Sequence, residues 1–169
     1  MSEPITSYIA RYAEDPKGLA RALKYPVLLY EPAEEEDTER SISQRRFRTL
    51  SGVGSPEARA GIPVVLRVRK EKDNAFRRGV TLGRTSNNDI IIDDASVSRF
   101  HAWFQADEAG RWTVADASSK NGTRVSGTRL KPKRPAPLAP DVRLRFGKVE
   151  VTFLAPEAFL KLLAARASR

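Results

Sequence analysis

The chain has 169 residues, a formal charge of +9, 40% apolar and 8% aromatic residues, and no cysteine. That length and apolar share fit one domain of ordinary size with extensions, and the missing cysteine excludes disulfides, thiolate zinc sites and cysteine nucleophiles. Charge is uneven: residues 1–60 carry 9 Lys/Arg against 10 Asp/Glu and residues 61–169 carry 21 against 11, so the second part attracts anions, whether phosphopeptide, nucleic acid or acidic lipid.

The N-terminus, MSEPITSYIA, has neither the basic head nor the apolar run of a signal peptide. The longest apolar stretches, such as Val27 to Tyr30, fall far short of the ~20 residues a membrane helix needs. The expectation is a soluble, cytoplasmic protein with no membrane insertion. Ser2-Glu-Pro predicts a short helix to about Ala13, and Asp15-Pro16, a cap followed by proline in the first turn, starts a second to about Lys24. Pro26 stops it, and Val27-Leu-Leu-Tyr30 reads as a strand or a buried tether. Glu31 to Glu39 is an acidic run, and Arg40 to Ala60 is polar with Gly and Pro, which makes a linker in which Arg45 to Leu50 is a candidate short strand.

From Ile62 the pattern changes. Val64, Leu66 and Val68 alternate with Val65, Arg67 and Arg69 as in a half-buried strand. Arg78–Leu82, Ile90–Ile92, Ala102–Gln105, Trp112–Ala115, Arg143–Phe146 and Glu150–Leu154 are further short strands, separated by turn clusters at residues 86–89, 107–110, Asn121-Gly122 and Ser126-Gly127. Many short strands at this spacing predict an all-β sandwich. Lys131 to Pro140, with four prolines, reads as a stiff loop, and Pro156 to Ala165 as a closing helix that buries Phe159, Leu162 and Leu163. The predicted organisation is an extension (1–30), a linker (31–61), the sandwich (62–154) and a C-terminal helix (155–169).

Three loop sequences stand out: Gly83-Arg84, Ser98-Arg-Phe-His101 and Ser119-Lys-Asn-Gly-Thr123, each at the end of a predicted strand. An arginine, a hydroxyl and an amide on three loops can converge on one phosphate, because guanidinium supplies a charged fork and the others neutral donors. In type and spacing these residues resemble the loop signature of the forkhead-associated (FHA) domain. The resemblance covers roughly Ile62 to Leu154 and implies a sandwich of two twisted antiparallel-type sheets, of the FHA/SMAD-like kind, with short N- and C-terminal helices outside it. It also implies phosphothreonine-peptide binding: Arg84 clamps the phosphate, Ser98 donates to it, Arg99 adds a cation or a backbone contact, and Asn121 contacts the peptide backbone. Ser119 and Lys120 line the same loop, with Lys120 a cation where a hydroxyl donor is common. Gly83, His101, Gly122 and Thr123 are implied to be framework. The implied partner is a Ser/Thr kinase or its substrate.

Other chemistry has little support. One histidine without cysteine makes a poor metal site, and no cofactor is expected. Asp93 and Asp94 are adjacent, so in a strand they point to opposite faces and cannot share a proton or metal. Gly52-Val-Gly54-Ser lacks the lysine and glycine spacing of a phosphate-binding loop, so no enzyme activity is expected. Two rival readings remain. Arg67, Arg69, Lys70, Lys72, Arg77 and Arg78 cluster on the first hairpin as in a nucleic-acid-binding surface, though only Phe76 interrupts them as a stacking residue. The other rival is a phosphate-independent scaffold that uses its terminal helices. Thr38, after an acidic run, and Thr49, after a basic one, are candidate phosphorylation sites. Once modified, either could act as an intramolecular ligand of the same pocket; the plain alternative is two solvated linker residues.

Overall fold

The computed structural model describes residues 2–32 and 53–169. Two sheets face each other. The larger contains β1 (Ser2–Pro4), β3 (Val64–Arg67), β2 (Val27–Tyr30), β12 (Val149–Leu154), β11 (Asp141–Phe146), β8 (Thr123–Val125) and β9 (Thr128–Arg129), in that order. The smaller contains β10 (Ala136–Pro137), β7 (Trp112–Asp116), β6 (Ala102–Ala106), β4 (Val80–Gly83) and β5 (Ile90–Ile91). Every pairing is antiparallel except β4 with β5. The helices are α1 (Ile5–Glu14), α2 (Pro16–Ala22), α3 (Pro56–Arg59) and α4 (Pro156–Ala167). No described helix is long and apolar enough to cross a membrane.

The main core lies between the sheets. Along β11 buried Val142, Leu144 and Phe146 alternate with exposed Asp141, Arg143 and Arg145, the period-two pattern of a strand with one face in water. Phe104, from the smaller sheet, meets Phe146 and Phe153 of the larger at 6.2 Å between ring centroids.

A second core covers the outer face of the larger sheet, over β2 and β3. There Val27, Leu29, Val65 and Leu154 pack with Ile5 and Tyr8 of α1, Leu19 of α2 and Phe159 and Leu163 of α4. Tyr8 and Phe159 meet edge to face at 5.2 Å. Leu28, Val64 and Leu66 point the other way, into the main core. Both faces of β2 and β3 are therefore covered, and this is why Val27-Leu-Leu and Val64-Val-Leu are continuous apolar runs rather than strict alternations.

This arrangement departs from the sequence reading in several places. Residues 2–30 are not an appendage: β2 sits between β12 and β3, and β1 pairs with β3 at the sheet edge, where Pro4 needs no ladder partner for its nitrogen. Ser2–Pro4 is strand rather than helix start, and α1 begins at Ile5. Within the expected linker, Ser55 caps α3 through a hydrogen bond from the Ala58 amide, and Val53 and Ala58 reach the main core. The proline-rich segment contributes β10, which pairs with β7. Asn121-Gly122 does not join two neighbouring strands; it lies in the crossing from β7 to β8, and the hairpin turn is Ser126-Gly127 between β8 and β9. Of the closing helix's three expected buried residues, Phe159 and Leu163 are buried and Leu162 is only half-buried. Thr38, Thr49 and the candidate strand Arg45–Leu50 lie outside the described residues.

Truncating the second core tests whether α4 is part of the folding unit. Phe159→Ala should lower the unfolding free energy by about 3–5 kcal/mol, as for a buried phenylalanine, measured by urea denaturation. A loss below about 1 kcal/mol, the range of surface changes, would mean that α4 is dispensable.

Candidate functional site

Three crossings meet at one end of the sandwich: β4 to β5, β5 to β6 and β7 to β8. Between them is an open cleft of about 950 Å³, whose lining includes Arg84, Ser98, Arg99, Ser118, Lys120 and Asn121. Three of the lining residues are cationic and none carries a carboxylate. The cleft is therefore an anion-attracting concavity.

Each loop is pinned by a buried polar side chain. His101, fully buried, accepts at Nδ1 from the Ser98 amide (3.0 Å), and its Nε2–H donates to the Gly122 carbonyl (3.0 Å). A backbone amide only donates and a carbonyl only accepts, so these partners fix the neutral Nε2–H tautomer. The ring stands edge-on to Phe146 at 5.8 Å. Burial pushes its pKa below the ordinary value, against the opposing pull of the Gly122 carbonyl and Asp116.

Asp116 organises the β7–β8 crossing. Its carboxylate accepts from the Ser119 amide (3.0 Å), the Ser119 hydroxyl (2.5 Å) and the Thr123 hydroxyl (2.7 Å). Ser119 Oγ in turn accepts from the Gly122 amide at 3.0 Å. Ser119, expected among the phosphopeptide contacts, thus has its hydroxyl engaged beneath the loop and does not line the cleft; its neighbour Ser118, with φ 60°, does. Gly122 has φ 82°, and a Cβ there would sit 2.8 Å from the Arg129 guanidinium.

Asp89 anchors the β4–β5 crossing to the connection between β3 and β4. It accepts from the Thr81 amide (2.8 Å), the Glu71 amide (2.8 Å), the Lys72 amide (2.7 Å) and the Lys70 ammonium (3.0 Å). Burial works to raise its pKa, but these donors together hold it below the usual carboxylate value. Next to it, buried Asn88 donates through Nδ2 to the Arg99 carbonyl (2.7 Å) and the Thr85 carbonyl (3.0 Å), tying two loops together. A Cβ on Gly83 would meet that Arg99 carbonyl at 2.1 Å, so only glycine fits at this close approach.

The groups that face the cleft are exposed and poised. Arg84 is set by its amide bond to the Ser98 carbonyl (3.0 Å) and by Nε–H donating to the Val97 carbonyl (3.0 Å). Its two terminal nitrogens have no partner among the described residues. Ser98 Oγ accepts from the Lys120 amide (3.0 Å), which leaves its hydrogen to donate outward. Asn121 Nδ2 donates to the Ser96 carbonyl (2.8 Å), which leaves its second N–H as a donor and its carbonyl oxygen as an acceptor. Arg99 and Lys120 hold their cations in solvent at the cleft rim.

The sequence reading missed several parts of this support. Asn88 and Asp89 were legible only as a turn cluster. Gly147, in the β11–β12 turn, has φ 59°, and a Cβ there would sit 2.3 Å from the Ser96 carbonyl. The neighbouring Lys148 amide donates to Ser96 Oγ (2.9 Å), so this turn braces the loop that Asn121 also grips. Gly147-Lys148 offered only a generic turn signal.

Comparison with known proteins gives a consistent picture. The sequence profile of the FHA domain matches residues 80–147. An "oxoglutarate dehydrogenase inhibitor" of Corynebacterium efficiens is 35% identical over 123 residues, which cover 66% of this chain and 84% of that protein. The "glycogen accumulation regulator GarA" of Mycolicibacterium smegmatis is 40% identical over 72 residues, 43% of each chain, so here less than half of the relative is spanned. Among solved structures, the FHA domain of the CT664 protein of Chlamydia trachomatis superposes with a TM-score of 0.50 at 18% identity, over 77% of this chain and 97% of that one, a likeness of fold.

The histidine bridge makes a signed prediction. Because the folded pKa of His101 lies below the unfolded value of about 6.5, the unfolded chain binds the extra proton first. Its stabilisation is complete above pH 6.5 and declines as the pH falls from there through the folded pKa. His101→Ala should lower stability at pH 7.5 by about 2–4 kcal/mol, since it leaves a buried amide and carbonyl unpaired and opens a cavity. It should also remove the decline between pH 6.5 and the onset of carboxylate titration. Thermal melts from pH 4.5 to 7.5 compare the slopes, and an unchanged slope in the variant would contradict the assignment.

Proposed function

The chain belongs to the FHA domain family, and on that premise we propose that its cleft binds phosphothreonine peptides and that the protein is a signalling adaptor acting with Ser/Thr protein kinases. The observation that carries the reading is the cleft with three cations and no carboxylate, in which the Arg84 guanidinium is held by its Nε while both terminal nitrogens are without a partner among the described residues. A phosphate with ~1.5–2 negative charges supplies the acceptors such a fork matches. Arg84 is the clamp, Ser98 the neutral donor, Arg99 and Lys120 rim cations, and the Asn121 amide a contact for the peptide backbone. Gly83, His101, Ser119, Gly122 and Thr123 are framework. The relatives' names, an inhibitor and a regulator, support a non-enzymatic role. The partner in this reading is a phosphorylated kinase or kinase substrate, met in the cytoplasm. Residues 2–30, 62–154 and 155–169 then act as one folded body rather than as a domain with appendages.

The expected first hairpin is not one, because β3 and β4 lie in different sheets; nucleic acid is disfavoured as partner because much of the basic cluster at this β3–β4 connection is engaged internally. Arg69 pairs with Glu71 at 2.7 Å, Arg67 lies 3.9 Å from the same carboxylate, and Lys70 is bound to Asp89.

Phosphorylated Thr38 or Thr49 as an intramolecular ligand belongs to the same reading. Supporting it, β2 runs antiparallel to β12 and so ends toward the Gly147-Lys148 turn that braces Ser96. Gly54 lies against Asp93 in the loop that leads to Ser98. Both ends of the segment that carries these threonines are thus on the cleft's side of the sandwich.

Fluorescence titration with a phosphothreonine peptide and its unphosphorylated copy tests the site. Arg84→Ala should weaken binding by about 100-fold, as for two lost charge-assisted bonds, while Ser98→Ala and Asn121→Ala should each lose about 5–10-fold. Unchanged affinity in Arg84→Ala, or equal affinity for both peptides, would overturn the reading.

A further inference from the structure

Among the described residues two large apolar side chains are exposed, Ile62 at 37% and Phe100 at 40%. Phe100 is the more telling. It lies between Arg99 and His101, lines the cleft, and continues outward into two other rings. Its ring centroid is 5.8 Å from that of Phe76 and 6.1 Å from that of Trp103, and Phe76 and Trp103 are 5.2 Å apart. Phe76 and Trp103 are half-buried, so the cluster has a covered base and an open upper edge at Phe100. We propose that Phe76, Phe100 and Trp103 form an aromatic shelf that receives one bulky apolar side chain of the bound phosphopeptide and so sets sequence preference beside the phosphothreonine. The proposal rests on the phosphothreonine reading of the adjacent cleft and adds to it the chemistry of a neighbouring peptide residue.

The shelf is built rather than incidental. The Phe76 ring packs on the backbone of Gly79, where a Cβ would sit 2.5 Å from the ring edge. The Phe76 amide donates to Asn74 Oδ1 at 3.1 Å, and its carbonyl accepts from Lys70 Nζ at 2.9 Å. Lys70 is itself bound to the buried Asp89, the anchor of the β4–β5 crossing. Trp103 stands on β6, opposite Thr81 of β4. The rings are therefore fixed from the same framework that fixes the phosphate loops, and little ordering is lost when a ligand side chain settles on them. Rigid aromatic surface of this kind gives large contact area at low entropic cost.

Continuity with the cleft selects the occupant. Phe100 is two residues from Ser98, so a peptide whose phosphate meets Ser98 brings residues about two to four positions away over the shelf, at about 3.3 Å per extended residue. Exposed Arg77 and Arg99 adjoin Phe76 and Phe100 in the chain, which disfavours a basic side chain there, and the apolar ring surface itself favours an apolar one.

The test is a positional scan. A phosphothreonine peptide with alanine at all other positions is the parent, and phenylalanine is placed singly at each of the four positions on either side. One position, two to four residues from the phosphothreonine, should bind wild-type protein about tenfold more tightly than the parent, and Phe100→Ser should bind both peptides with the same affinity. Phe76→Leu, which loosens the base of the shelf, should reduce the gain to about threefold, with the fold checked by circular dichroism. No gain at any position, or a gain that survives Phe100→Ser, would overturn the shelf. So would loss of both peptides by a folded Phe100→Ser variant, since Phe100 would then serve the phosphate pocket itself. If the wild-type protein fails to distinguish the parent from its unphosphorylated copy, the phosphothreonine reading fails first, and that result is distinct from a flat scan around a peptide that does bind.

Discussion

The site depends on a neutral imidazole with nowhere else to go. His101 is fully buried, and both of its nitrogens are committed to backbone groups of two different loops, the Ser98 amide and the Gly122 carbonyl. The Gly122 carbonyl is buried and the Ser98 amide partly so, and separating the loops would leave a donor and an acceptor short of these partners. Everything that faces the cleft hangs from this join. Ser98 presents its hydroxyl because its amide is held from below, and the Lys120 amide closes onto that hydroxyl at 3.0 Å. Asp116 and Asp89 repeat the device on either side, each a buried carboxylate that gathers donors from a loop with few apolar anchors.

This division of labour explains why the contact residues need not be buried. Arg84, Arg99, Lys120 and Asn121 are exposed and contribute little to packing. Isolated surface cations are worth little to stability, so such residues are free to be chosen for a ligand. The framework residues beneath them are not free: Gly83 has the Arg99 carbonyl where a side chain would go, and Gly147 has the Ser96 carbonyl. The functional surface is thus a thin layer of adaptable charges over a layer of polar groups whose partners leave no slack.

Much of this was legible in the residues. The short strands with period-two burial appear along β11 because one face meets the core and the other water. Gly83-Arg84, the Ser98–His101 tetrad and Asn121-Gly122 were recognisable because together, in type and spacing, they resemble the FHA loop signature, whereas each alone is an ordinary turn. What could not be read was determined by long-range contact. Val27-Leu-Leu-Tyr30 is an apolar run that suits a tether as well as a strand, and only α1 and α4 packing on its outer face makes it a central strand. Ser119 and Ser98 are both loop serines one residue from a cation; nothing local indicates that one hydroxyl turns down to Asp116 while the other turns out. Gly147 looks like any hairpin glycine until Ser96, 51 positions earlier in the chain, is found against it.

The same long-range economy links the β3–β4 connection to the cleft. Lys70 lies in a basic cluster that, read as sequence, pointed to nucleic acid. In the fold its ammonium bonds Asn74 Oδ1, the Phe76 and Gly79 carbonyls and Asp89 Oδ2, which makes it a structural cation inside a polar knot. Asp89 then links that knot to Thr81 on β4, one strand-length from Gly83 and Arg84. A lysine that holds four acceptors cannot also serve as a freely mobile phosphate contact, because releasing it would leave a buried carboxylate short of its charged donor. The charge of this half of the molecule is therefore of two kinds, one fixed within the framework and one displayed at the cleft, and only the second can report on a ligand.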